Sequence, residues 1–193
     1  DRIKKYIIKI EKNINQEVLK KYPRDFRENE FMPLRIIGLS GTSNVELWYH
    51  IEKEKLFIIK IFLSEIEKLQ SREISNYKLI DYPFLPRYYG KIIDDFNNTK
   101  SFVIEFINGQ TLFNNKPKIG IKKKITIILE LLFTFQYLHR NHFVYRDFKP
   151  SNLVIDYNCN VVLIDFDRMI QDNEVSSNDF GTLFKDEENL PNG

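Results

Sequence analysis

The stretch YRDFKPSN, Tyr145 to Asn152, decides how the rest of this 193-residue chain reads. It places Asp147 and Asn152 five residues apart, with Arg146 and Lys149 beside them. An aspartate can take or orient a hydroxyl proton. An asparagine offers an amide oxygen to a hard cation, and a lysine brings positive charge to a moving phosphoryl group. Phosphoryl transfer needs these three residue types together. A polar turn after a helix has the same composition, so the flanking sequence must discriminate.

Immediately upstream, from Lys122 to Arg140, apolar positions recur at helical spacing; downstream, LVID and VVLID read as short strands. From Leu34 the chain gives β-rich runs, LRIIG, NVELWYHI and LFIIKIF, with the turn EKEK between the last two. A charged helical stretch, Ser64 to Ile80, stops at Asp81-Tyr82-Pro83, and RYYGKII and SFVIEFI follow as strand candidates. Ahead of all these, Ile3, Ile7, Ile8, Ile10 and Val18 lie among charges in a pattern that fits an amphipathic helix ended by Pro23. The order implies an α+β fold of two lobes, β-rich first and helical second, joined at Ile107-Asn108-Gly109. The divisions expected are a helical N-terminal extension over 1–30, a β-rich lobe over 31–107 and a helical lobe over 108–193. A cleft between such lobes is a common seat for a ligand.

Hydrophobic residues make up 42% of the chain and aromatics 14%, enough for a folded core and too much for a disordered segment. The formal charge of +2 gives no field that would draw nucleic acid or a membrane surface, so neither partner is expected. Cys159, the single cysteine, excludes an internal disulfide and a multi-cysteine metal site. The longest apolar run, Ile125 to Phe135, is interrupted by Glu130 and too short to span a bilayer. No signal-peptide pattern opens the chain, and the expected location is cytoplasmic.

YRDFKPSN resembles the His-Arg-Asp-Leu-Lys-Pro-x-Asn catalytic loop of eukaryotic-type protein kinases. The resemblance implies the two-lobe kinase fold, ATP and Mg²⁺ as cofactors, and a protein substrate. It makes Asp147 the catalytic base, Asn152 a Mg²⁺ ligand and Lys149 a cation against the transferring phosphate, the last being a mark of the Ser/Thr branch. Tyr145 stands where the family has His. The family's metal-binding aspartate follows a buried strand a little under twenty residues past the base. Asp165 lies eighteen residues beyond Asp147 and follows VVLI, whereas the Asp179-Phe180-Gly181 signature lies thirty-two beyond and follows no strand. Asp165 is therefore the implied metal ligand. Phe180-Gly181-Thr182 instead resembles the Gly-Thr late in the activation segment, with Thr182 expected to bond Asp147 and Lys149.

The nucleotide side of the resemblance runs in the same order. Gly38-Leu39-Ser40-Gly41-Thr42-Ser43-Asn44-Val45 has the spacing of the phosphate loop, with Ser40 and Ser43 replacing two glycines. Gly38, Ser40, Ser43 and Val45 are the expected nucleotide contacts there. Lys60 falls fifteen residues after Val45, as the phosphate-pairing lysine does. Glu73, ten residues before Pro83, is its implied partner over Glu65 and Glu67. SFVIEFINGQTL resembles the hinge, with Ile104 as gatekeeper and backbone groups of Glu105 and Ile107 on the adenine edge; Ile58 replaces Ala in the adenine roof and tightens the pocket.

Two departures stand out. Asp167 occupies the place of the glycine that gives the segment mobility. LIDFD is also the style of aminoglycoside and choline kinases and of some lanthipeptide-synthetase domains, so a small-molecule kinase and an inactive binding module are the competing readings. After Thr182 the Ala-Pro-Glu motif is missing, with Glu188 its nearest remnant. The resemblance then covers the upper lobe and part of the lower. A partner or a further segment is expected to complete the lower lobe, and apolar surface on the long helix is expected to be exposed. Ser176, Ser177 and Thr182 are candidate phosphosites facing Arg146.

Overall fold

A computed structural model describes residues 24–39, 43–63, 67–113 and 120–171. Its first part is a six-stranded sheet built from β1 (Arg24–Phe26), β2 (Phe31–Leu39), β3 (Ser43–His50), β4 (Lys55–Phe62), β5 (Tyr88–Ile93) and β6 (Thr99–Glu105). The strand order is β1-β5-β6-β4-β3-β2; β1 runs parallel to β5 and the other pairs are antiparallel. The sheet thus reaches back to Arg24, ahead of the boundary expected at residue 31. The amphipathic pattern of residues 2–20 lies outside the described residues.

The sheet curls until its two edges meet. The rings of Phe26 on β1 and Phe31 on β2 are 5.3 Å apart, and both pack on the buried His50. Around them Trp48, Phe57, Ile59, Ile92 and Val103 form a core inside the curl. His50 has a structural place that sequence alone did not assign. Its Nδ1 accepts the Lys53 N–H at 3.2 Å, and its Nε2 lies 3.4 Å from Glu30 Oε2. Burial holds the imidazole pKa below its usual value.

Gly90 makes the β1 edge possible. It sits at φ +144°, and a Cβ there would lie 1.8 Å from the Arg24 carbonyl oxygen. Only glycine adopts that backbone at little cost while letting another strand approach so closely. Gly90→Ala is therefore expected to expel β1 and cost about 2 kcal/mol or more. A thermal melt should show the loss, and an unchanged midpoint would refute this account of the edge.

Helix α1 (Glu67–Leu79) follows β4, within the predicted stretch, and helix α2 (Ile121–Arg140) spans the predicted apolar repeat. Between them and after them come β7 (Gly109–Thr111), β8 (Phe143–Val144), β9 (Leu153–Asp156), β10 (Val161–Leu163) and β11 (Ile170–Gln171). Strands β10-β9-β7 form one small sheet and β11-β8 another. The larger core cluster crosses between the lobes: Tyr77 within α1 and Ile80 just after it, Phe102 and Ile104 from the sheet, Leu138 from α2, Leu163 from β10, and Tyr145 and Phe166 from the loops.

Helix α2 buries an unexpected stripe. Thr126, Glu130, Thr134 and Leu138 face inward at four-residue spacing, while Ile121, Ile125, Ile128 and Leu132 are exposed. The Glu130 carboxylate accepts the Val161 N–H at 3.0 Å and so fastens the helix to β10. A buried carboxylate is tolerated where it satisfies a backbone donor that would otherwise be orphaned. No helix among the described residues is long and apolar enough to cross a membrane.

Candidate active site

Strand pairing brings the first residues together. Val45 on β3 lies opposite Gly38 on β2 and opposite Lys60 on β4. Alternation along β4 turns Lys60 to the same face as Ile58, toward the lobe junction. There Lys60 Nζ meets Glu73 Oε1 of α1 at 2.6 Å and Asp165 Oδ1 at 3.1 Å. Lys60 is 7% exposed and Glu73 2%, so their ion pair is buried, whereas the Asp165 side chain is 37% exposed. Burial works against the lysine's charge, yet the carboxylates of Glu73 and Asp165 outweigh it and raise its pKa. Burial also pushes the Glu73 carboxyl up, to about 7, with the Lys60 ammonium opposing.

The loop 145–152 supplies the second group. Lys149 Nζ donates to Asp147 Oδ2 at 2.7 Å, and Asn152 Nδ2 donates to the same oxygen at 2.8 Å and to the Asp147 carbonyl at 3.0 Å. Spending the amide nitrogen this way leaves the Asn152 oxygen as its acceptor. Asp147 is thereby fixed from two sides. Two residues here hold left-handed backbone without being glycine: Arg146 at φ 62° and Asp165 at φ 66°. Such conformations persist only where the surroundings enforce them. Ile164, just before Asp165, is gripped at both of its backbone groups. Its N–H donates to the Asn152 carbonyl at 2.9 Å, and its carbonyl accepts the Tyr145 hydroxyl at 2.5 Å.

Asp147, Asp165 and Asp167 each bring a carboxylate oxygen within 4.8 Å of the others. Asp167 Oδ1 is buried and has no hydrogen-bond partner among the described residues. Burial, and then the charge of Asp165, raise the Asp167 pKa. Three converging carboxylates with an orphaned oxygen form a hard-oxygen donor set that suits a divalent cation such as Mg²⁺. Rings pack behind them: Tyr77 and Phe166 tilted at 4.5 Å, Phe166 and Tyr145 edge-on at 6.1 Å.

With this geometry in hand, the comparison with known families is decisive. The sequence profile of the protein kinase domain matches residues 31–183. The chain belongs to the protein kinase family.

Among its relatives, the dual specificity protein kinase zakA of Dictyostelium discoideum is 34% identical over 121 residues, covering 60% of this chain and 15% of the relative. The serine/threonine-protein kinase Sgk1-B of Xenopus laevis is 27% identical over 169 residues, or 81% of this chain and 38% of the relative. The serine/threonine-protein kinase OXI1 of Arabidopsis thaliana is 29% identical over 163 residues, 73% and 38% respectively. The kinase chain described here thus spans well under two thirds of the length of these relatives.

The fold brings Lys60, Glu73, Asp147, Lys149, Asn152 and Asp165 to one place. On the nucleotide side the positions are more varied. Ser40 lies outside the described residues, as do Ser176, Ser177, Asp179 and Thr182. Ser43 is 4% exposed at the start of β3, opposite Phe62, and so lies within the sheet rather than at the hairpin tip. Gly38 leaves room for a Cβ, whose nearest neighbour would be Val45 at 3.9 Å. At the hinge, Ile104 is buried opposite Ile58, and the Glu105 N–H is taken by the Arg87 carbonyl at 2.9 Å. The Glu105 side chain accepts the Arg87 N–H at 3.2 Å, which pins the end of β6. Ile107 is half-buried in the connector between β6 and β7.

Sequence reasoning treated Asp167 only as a stiff replacement for glycine. In the kinase fold it is a third carboxylate at the site. No local signal marks it: Asp165 stands in left-handed backbone at φ 66°, so strand alternation does not place Asp167. Asn76 and Arg72 were also missed, because nothing in a charged helical sequence marks which polar residues turn inward.

The Glu73 carboxylate accepts from Lys60 at 2.6 Å, so this ion pair should weaken as pH falls through about 7. A carboxyl raised from 4.5 to about 7 on folding adds stability fully below the unfolded value, and this is lost as pH rises through 7. Relative to Glu73→Gln, the parent kinase should therefore melt relatively higher at pH 5.5 than at pH 8. Parallel pH–melting curves for the two proteins would remove Glu73 as the cause.

Proposed function

We propose that this kinase domain transfers the γ-phosphoryl group of ATP to serine or threonine hydroxyls of protein substrates. The observation that carries the reading is the shared contact of Lys60 with Glu73 and Asp165, 105 residues apart from Lys60 in the second case. That contact joins the β-rich lobe to the segment beside Asp147 in a single charge network.

ATP supplies the phosphorus electrophile, and bound Mg²⁺ neutralises charge on its phosphate oxygens. Asp165 and Asn152 would hold the cation, and the Asp167 carboxylate adds negative charge beside them. Lys60 orients the phosphates, and Glu73 keeps Lys60 in place and charged. Asp147 accepts a hydrogen bond from the incoming hydroxyl and takes its proton as the new P–O bond forms and the bond from the γ-phosphorus to the bridging oxygen breaks, releasing ADP. Lys149, on the Asp147 carboxylate, places a cation where charge builds on the transferring group. From their motif positions, Gly38, Ser40, Ser43 and Val45 would cover the nucleotide, and backbone groups of Glu105 and Ile107 would meet the adenine edge.

The lysine two residues after Asp147 and the Ser/Thr kinases among the relatives support a protein hydroxyl as acceptor. The purified chain incubated with γ-labelled ATP, Mg²⁺ and a generic basic protein is expected to label serine and threonine. Label found only on a small alcohol would replace this reading with a small-molecule kinase. Mg²⁺-dependent ATP binding without any transfer would replace it with a binding module.

A further inference from the structure

Helix α1 presents four side chains from one face to the short segment that carries Asp165. Arg72, Glu73, Asn76 and Tyr77 fall at spacings that share a helix face. Each engages a different point of 165–169. Glu73 reaches Asp165 through Lys60. Tyr77 packs on Phe166 at 4.5 Å. Arg72 Nη2 donates to the Asp167 carbonyl at 3.2 Å, and Asn76 Nδ2 donates to the Met169 carbonyl at 2.8 Å.

Asn76, like Arg72 and Tyr77, has no role in the chemistry described above. It is 3% exposed, in the middle of a helix where asparagine is intrinsically poor. Its amide is spent on a backbone carbonyl, so it reads the path of the main chain and not the identity of a side chain. Met169 is fully buried, and its own N–H closes a turn onto the Phe166 carbonyl at 3.2 Å. The next residue, Ile170, enters the β11–β8 ladder opposite Val144. Asn76 therefore grips the far end of the turn whose near end, Ile164, is gripped by Tyr145 and Asn152. Between those two grips lies Asp165 in its left-handed backbone.

We infer that Asn76 is a positioning residue, whose bond to the Met169 carbonyl locks α1 to the Asp165 segment so that Glu73 and Asp165 reach Lys60 together. For its link to catalysis this rests on the phosphoryl-transfer reading above, whereas the mechanical coupling does not. Losing the bond should loosen the turn and the helix together, because one amide joins them, while the Arg72 and Tyr77 contacts remain.

The test compares the parent chain with Asn76→Leu, which keeps the branched shape and removes the donor, and with Asn76→Ser, which is small enough to fold if leucine is not accommodated. Asn76→His, which restores a donor at similar reach, is the rescue. Amide exchange is read on the free chain, without nucleotide or metal. In the leucine or serine variant, amides of residues 166–171 and of α1 are expected to exchange about tenfold faster together, with β3 and β4 unchanged. The histidine variant should recover at least part of the protection. In a transfer assay the Mg²⁺ concentration for half-maximal rate should rise severalfold. Faster exchange confined to α1, or spread evenly over the chain, would overturn the coupling. An unchanged Mg²⁺ requirement in an actively transferring variant would overturn the positioning role. If the parent chain transfers nothing, the proposed function fails, and the exchange measurement still decides the coupling.

Discussion

Asp147→Asn is expected to lower phosphoryl transfer by about 10²–10⁴-fold, the usual worth of a positioned general base, while ATP still binds with Mg²⁺. The substitution keeps the shape of the side chain. It removes the negative oxygen that accepts from Lys149 at 2.7 Å and from Asn152 at 2.8 Å. An amide in that position can still meet Lys149 through its oxygen, so the loop should keep its fold. What it cannot do is take a proton from a hydroxyl. Single-turnover labelling measures the chemical step, and a thermal shift with ATP and Mg²⁺ measures binding. Undiminished transfer would remove Asp147 from the role of base.

Asp165→Asn should have a comparable effect on rate for a different reason, and it should damage metal-dependent binding as well. Its Oδ1 is held by Lys60 at 3.1 Å, and it stands within the carboxylate group it forms with Asp147 and Asp167. A neutral amide there takes one full charge from the donor set offered to Mg²⁺ and one anion from the surroundings of Lys60. A loss of about 10³-fold in kcat/KM is expected, about 4 kcal/mol of transition-state stabilisation. The diagnostic signature is that Mg²⁺ no longer strengthens ATP binding, whereas in Asp147→Asn it still does. If Mg²⁺ continued to tighten binding in Asp165→Asn, the cation would have to be held elsewhere.

The contrast between these two aspartates shows how much the sequence disclosed. Asp147 was legible from YRDFKPSN because its partners are two and five residues away, within one loop. Asp165 was legible from its strand, VVLI, and its distance from Asp147. Glu73 was harder: Glu65 and Glu67 lie on the same charged stretch, and only the spacing to Pro83 favoured Glu73. The 2.6 Å contact with Lys60 depends on how α1 is rotated against the sheet, and periodicity this weak does not give that rotation. Asp167 was read as a loss of mobility because its distance from Asp147 exists only after β10 and the catalytic loop have packed. The strands β8 and β11 were invisible for a similar reason. Each is two residues long, too short to show alternation, and they pair across a long stretch of chain.

Local order determined the β-hairpin of β3 and β4, the two helices and the succession of kinase motifs, because alternation, helical spacing and turn chemistry act between near neighbours. Long-range packing alone decided three things. It closed the sheet through Gly90 and His50, it turned Glu130 and Asn76 inward against backbone groups, and it held Arg146 and Asp165 in left-handed conformations. Those features cost free energy locally and are offset only by contacts with residues far away in the chain, so no local pattern could announce them.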